Sequence, residues 1–241
     1  MKLKTILFSF LFILSSCGTF DRKIYQIGVD PQFYPLNLGA KQGAVNAYLD
    51  ELLMLVSETE NISFEKIRAN WDTIYDNLTL ERYDGIFSSM TPDLINRNRY
   101  SFSEAIIPTG PILVLTKKSP ANSLKDLDGR TIVIVEGAGG GQSLQGYTKI
   151  IVRKASSVAE ALNQVEDGQA NGALLPYVVA QSYIRDLFSE NLRIVSPPLT
   201  NEGIRLITTS NQDLQDYFDR ALAKLVKNGK LKELKEKWGL E

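Results

Sequence analysis

The chain has 241 residues, 44% hydrophobic and 23% charged, with a formal net charge of −1. That composition suits a soluble globular protein of one large or two modest domains, and it suggests neither a disordered chain nor a nucleic-acid surface. It contains no histidine and one cysteine, which excludes Ser-His-Asp and Cys-His nucleophile systems, histidine metal sites and any intrachain disulfide.

Residues 1–16 read as a secretion signal. Lys2 and Lys4 make a positive start, and Ile6 to Leu14 is an apolar run too short to span a bilayer as a mature helix. Leu14-Ser15-Ser16-Cys17 has the pattern of a bacterial lipobox, whose cysteine is lipidated and becomes the first mature residue. Residues 17–23 would then be a short tether to the membrane.

Ile24 to Val29 alternates as a strand and turns at Asp30-Pro31 into an aromatic loop of Phe33, Tyr34, Pro35 and Leu36. Val45, Tyr48, Leu49, Leu52, Leu53 and Val56 recur at helical spacing, which predicts an amphipathic helix over 43–58. A strand follows from Ile62 to Ile67. Trp71-Asp72 opens a short helix through Leu80, with Asp72 placed to cap it. Tyr83 to Thr91 reads as a strand ending in the hydroxyls of Ser88, Ser89 and Thr91. Pro92, tolerated at a first helical position, then starts a helix. This βαβαβ order belongs to a parallel sheet, whose ligands sit beyond the carboxyl ends of the strands.

Ile112 to Leu115 is a fully apolar strand, and the polar segment after it marks a crossing between domains. The second half repeats the alternation: strands at Thr131–Val135, Ile150–Val152, Gly172–Leu175 and Leu192–Val195, a helix capped by Ser157, and another started by Pro176. The Glu136-Gly137-Ala138-Gly139-Gly140-Gly141 loop is either a permissive turn or a nest of backbone N–H groups that favours an anion. Gly203 to Thr208 reads as a strand leading back, and helices over 212–227 and 231–238 close the chain.

Several stretches, in this order, resemble the extracellular solute-binding proteins of bacterial ABC importers, family 3, which mainly bind polar amino acids. They are Gly28 through Leu36, Trp71-Asp72, Tyr83 through Ile86 with Ser88 through Thr91, Phe102-Ser103, Ser123 through Arg130, Leu199 through Gly203, and Lys227 through Trp238. The resemblance implies an α/β, two-lobed periplasmic-binding-protein fold. Lobe one would comprise 24–112 plus 204–241 and lobe two 113–203, joined by two hinge crossings. It further implies a monomer with no cofactor, not an enzyme, that takes a small polar solute between its lobes and delivers it to a permease in the cytoplasmic membrane.

The site residues it implies are Asp30, Phe33, Trp71, Ser88, Ser89, Thr91, Asn96, Arg97, Gly137, Ala138, Gly139, Pro176 and Tyr177, with Cys17 as the lipidated residue. For Phe33 and Trp71, core packing is the competing role; for Asp30 it is capping the turn. The pattern departs from the family twice. Asn96 stands where the family places the arginine that grips a ligand carboxylate, with Arg97 one residue on. Pro176 stands where it places the aspartate that grips an ammonium. These losses leave room for a sensory or scaffold protein that binds without transporting. An enzyme on the same scaffold would have only Asp30 and Glu136 as cleft carboxylates.

Overall fold

The computed structural model describes residues 22–34, 36–137, 140–195, 197–209 and 213–240. The leader, Cys17, Pro35, Ala138 and Gly139 lie outside them. The elements in chain order are β1 (Ile24–Val29), α1 (Gln42–Glu60), β2 (Ser63–Arg68), α2 (Ile74–Thr79), β3 (Gly85–Ser88), β4 (Tyr100–Phe102), β5 (Ile107–Pro108), β6 (Pro111–Thr116), β7 (Thr131–Val135), β8 (Ile151–Ala155), α3 (Val158–Glu166), β9 (Gly172–Pro176), α4 (Tyr177–Tyr183), β10 (Leu192–Val195), β11 (Gly203–Thr209), α5 (Asp213–Lys227) and α6 (Lys230–Trp238). Short 3-10 turns precede α1 and α2, and a π-helical turn, Ile184–Phe188, continues α4.

Two sheets organise the chain. The first runs β2-β1-β3-β11-β4, with β5 also on β11; the second runs β10-β6-β9-β7-β8. β1 pairs in parallel with β2 and β3, and β7 with β8 and β9. The strands next to the crossings, β11 and β6, pair antiparallel with their neighbours, so both sheets are mixed. Ile112 pairs with Leu175 in the second sheet, so the chain leaves the first sheet at Thr109-Gly110, slightly earlier than the sequence suggests.

The outgoing and returning segments are tied together: the backbone N–H groups of Thr109 and Gly110 both donate to the Glu202 carbonyl, at 3.0 and 3.3 Å. The close approach requires glycine at 203, where a Cβ would lie 2.7 Å from the Ala105 Cβ and 2.8 Å from the Ile107 carbonyl oxygen.

α1 forms because its six apolar positions bury one face completely. They meet Phe218, Leu222 and Leu225 of α5 and Leu234 of α6 in the core beneath the first sheet. Each such side chain contributes about 1.5–3 kcal/mol on leaving water. Asn61, in the left-handed region at φ +54°, ends the helix. The second sheet is packed on both faces: Ala161, Leu162 and Val165 of α3 cover one, and Leu124, Leu127 and Leu144 the other. Val178 of α4 is buried in the first lobe's core, and Tyr177 packs against the cores of both lobes.

Three local expectations fail for identifiable reasons. Asn70, not Asp72, caps the turn before α2, its side chain accepting the Asp72 N–H. The strand expected over 83–91 is paired only over Gly85–Ser88. Between Pro92 and β4 there is no α-helix, only a 3-10 turn at Asn96–Asn98, because the Asp93 and Asn96 side chains take up the backbone N–H groups.

Candidate functional site

In the first sheet the strand order reverses between β1 and β3, and in the second between β7 and β9. Such switch points open crevices at the carboxyl ends of strands. In lobe one the crevice is edged by Asp30 to Tyr34 and by Ser89 to Arg97. In lobe two it is edged by Glu136-Gly137 and Pro176.

Asp30 is 9% exposed. Its carboxylate accepts from the Gln32 and Tyr34 N–H groups at 3.0 and 3.2 Å, which fixes the turn after β1. One face of that turn opens on a cavity of about 590 Å³ shared with Tyr34, Arg68, Trp71 and Asp72. Phe33, expected at the pocket wall, is instead a core residue: it is 2% exposed, and its φ of +53° turns it inward against the α1 side of the sheet. Tyr34 is the exposed ring, and it meets Trp71 edge-on with centroids 5.5 Å apart. Trp71 in turn meets Tyr75 at 5.5 Å.

Ser88 is buried, and its hydroxyl is already engaged: Oγ lies 2.5 Å from the Tyr75 phenol and accepts the Met90 N–H at 3.2 Å. Burial pushes the Tyr75 pKa up, against the Ser88 hydrogen bond. Ser89 is half-buried and Thr91 exposed at the strand exit. Asn96 fastens its own loop, its amide donating to the Thr91 carbonyl at 2.8 Å and its oxygen accepting the Asp93 N–H at 2.8 Å. It is therefore committed to the loop. Arg97 is exposed and lines, with Thr91, a second cavity of about 320 Å³ beside the hinge.

Sequence reasoning missed Arg205. It lies on β11 opposite Ser88 and is 5% exposed, yet it lines the same cavity as Arg97. Burial lowers its pKa, Glu104 opposes that shift and Arg97 adds to it. The signal was present: a lone cation in an otherwise buried apolar strand, Gly203-Ile204-Arg205-Leu206-Ile207.

In lobe two Gly137 adopts φ +77°, a conformation that disfavours a side chain. Beside it, exposed Glu136 pairs with Lys154 at 3.0 Å. Gly137 and Pro176 share a cavity of about 380 Å³ with Leu36 and Leu38 of lobe one and with Thr109 and Glu202 of the hinge. The Tyr177 N–H donates to the Gly110 carbonyl at 3.2 Å, so the start of α4 is moored to the hinge. Of the expected site residues, Asp30 and Trp71 line one cavity, Thr91 and Arg97 a second, and Gly137 and Pro176 a third, so they are not gathered in one. Ser88 and Phe33 serve as framework.

The sequence profile of bacterial extracellular solute-binding proteins, family 3, matches residues 25–241. The chain is 23% identical over 240 residues to the arginine-binding extracellular protein ArtP of Bacillus subtilis, covering 94% of this chain and 92% of that one. It is 22% identical over 222 residues to the L-cystine-binding protein TcyJ of the same organism, covering 88% and 82%. The fold superposes on the L-cystine solute receptor of Neisseria gonorrhoeae, solved in its unliganded open conformation, with a TM-score of 0.73 at 21% identity over 90% of this chain and 93% of that one.

Proposed function

Because the chain belongs to the bacterial extracellular solute-binding proteins of family 3, we propose that it captures a small amino-acid-like solute between its lobes and delivers it to an ABC importer. The observation that carries this reading is the cavity bounded by Leu36 and Leu38 on one side and Gly137 and Pro176 on the other, with the hinge at its back. Its volume suits a small molecule. A solute there touches both lobes only when they are closed, so its binding energy favours closure.

The neighbouring Tyr34–Trp71 pair, with Asp30 and Asp72 beside it, suits the side-chain end of a ligand that carries positive charge. Trp71, Ser89 and Thr91 line the way in on lobe one, and Gly137 offers its backbone N–H on lobe two. Lobe one extends over 24–110 plus 203–241 and lobe two over 111–202. Cys17 carries the lipid that holds the protein outside the cytoplasmic membrane, within reach of its permease, and the protein acts as a monomer.

A thermal-unfolding panel of the twenty amino acids, cystine and simple organic anions tests the reading. A ligand at 100 times its dissociation constant adds about 2.7 kcal/mol to the folded state. At least one amino acid should raise the midpoint by several degrees. No response to any of them would overturn amino-acid capture and favour a non-transporting protein.

A further inference from the structure

The lobes also meet outside the three cavities. α4 and the π-helical turn that continues it belong to lobe two, yet α4 packs against the lobe-one turn Gly39–Lys41. The π-helical turn, a geometry common at functional positions, carries Arg185 to the C-terminal end of α6. Arg185 lies against Gly239 there. A Cβ on that glycine would sit 2.7 Å from the Arg185 Nη1 and 3.0 Å from the Lys41 Nζ. Lys41 donates to the Gly239 carbonyl at 3.2 Å. Two cations, one from each lobe, thus share the end of a helix whose last carbonyls carry partial negative charge.

Arg185 is held in place from its own side. It donates to the Asp186 carboxylate at 2.8 and 3.3 Å. That hydrogen bonding, with a smaller part from the Lys41 charge across the lobe boundary, holds the Asp186 carboxyl below the usual carboxylate range. The surface it meets is fixed to lobe one: Leu234 and Leu240 lie in that core, and Lys237 and Trp238 donate to the Glu51 carboxylate of α1 at 2.7 and 3.0 Å.

The contact is placed to sense the hinge. α4 starts at Tyr177, moored to Gly110, and Arg185 stands about 12 Å further along the helix, so closure by about ten degrees moves it by roughly 2 Å. None of Lys41, Arg185, Asp186 and Gly239 lines any of the three cavities. Among the described residues the Asp30–Trp71 cavity is walled by lobe one alone, so the lobes stand apart there while the Arg185 contact is made.

We propose that Arg185 of lobe two latches onto the C-terminal end of α6 in lobe one and holds the lobes in this open arrangement until a solute closes them. This rests on the reading given above and adds how the same cleft is regulated. Closure must first break the latch, so part of the solute's binding free energy is spent there and the apparent affinity is lowered. The glycine at 239 is what lets the guanidinium approach the helix end.

The test needs no solute. Spin labels at Leu94→Cys and Gln145→Cys, both exposed, in a Cys17→Ser background report the inter-lobe distance by pulsed dipolar spectroscopy. Arg185→Ala, at a partly exposed side chain, should raise the short-distance population at least threefold. Arg185→Lys, which keeps the charge, should stay near the parent. Sodium chloride at about 1 M, where charges are screened beyond about 3 Å, should shift the parent in the same direction and leave Arg185→Ala unmoved. An unchanged or longer distance in Arg185→Ala, or an equal salt response in parent and variant, would overturn the latch. The two readings fail separately. A responsive amino-acid panel with unchanged distances in Arg185→Ala removes the latch and keeps solute capture. A flat panel with a shifted distribution does the reverse.

Discussion

The Ser88 hydroxyl and the Tyr75 phenol lie 2.5 Å apart at the end of β3, and the same hydroxyl accepts the Met90 N–H. One side chain thus joins the sheet to α2 and shapes the loop that leads to Thr91. Ser88→Ala would leave the Tyr75 hydroxyl and the Met90 N–H without that partner, at a cost of about 1–3 kcal/mol. Tyr75→Phe should cost less, and the double variant less than the sum, because both remove one interaction. Urea unfolding of the three variants checks this; strictly additive losses would mean that the pair does not interact.

Trp71 touches both Tyr34 and Tyr75 while remaining partly exposed. Trp71→Ala should lower stability by about 1–3 kcal/mol through lost edge-to-face contacts. It should weaken solute binding at least tenfold, about 1.4 kcal/mol. Phe33→Leu, a change in the core, should alter stability without changing affinity for the same solute. Calorimetric titration of both variants separates the roles; equal affinity losses would contradict the assignment of Tyr34 and Trp71, rather than Phe33, to the pocket.

Tyr48 lies wholly buried in α1 with an unpaired hydroxyl, and burial raises its pKa well above the usual 10.0. The folded state keeps this proton at pH values where the unfolded chain, near pH 10, releases it. Stability is therefore constant from this group below pH 10 and falls as pH rises beyond it. Tyr48→Phe should be neutral or stabilising by about 1 kcal/mol at pH 7, since it removes an unsatisfied donor. It should also flatten the alkaline loss. Chemical unfolding at pH 7 and at pH 10.5 gives both numbers, and an unchanged alkaline slope would contradict the assignment.

The sequence makes Cys17 the only thiol. Cys17→Ser should move the protein from the membrane fraction to the soluble fraction without changing its solute binding. Continued retention in membranes would contradict anchoring through that residue.

How far the site could be read from the residues differs element by element. α1 and α5 were legible because their buried positions repeat at helical spacing, and the longer β strands because their apolar runs sit between turn residues, whereas β4 and β5, three and two residues long, are too short to show a pattern. Phe33 was assigned to the pocket by resemblance alone, with core packing as its competing role; its positive φ turns the ring into the core and leaves Tyr34 exposed. The helix after Pro92 was over-read because Asp93 and Asn96 satisfy the backbone locally, a competition that propensity does not register. Arg205 was not legible beside Ser88 because β11, the strand that sets it opposite, arrives more than a hundred residues later in the chain. Long-range pairing of this kind carries no local pattern.

The central claim is that a solute draws the two lobes together. Spin labels at Leu94→Cys, on the most exposed apolar position of lobe one, and at Gln145→Cys, exposed on lobe two, report it directly in a Cys17→Ser background. Pulsed dipolar spectroscopy should show a shorter and narrower inter-label distance with at least one amino acid at saturating concentration than without it. The same broad distribution with every amino acid would contradict the account.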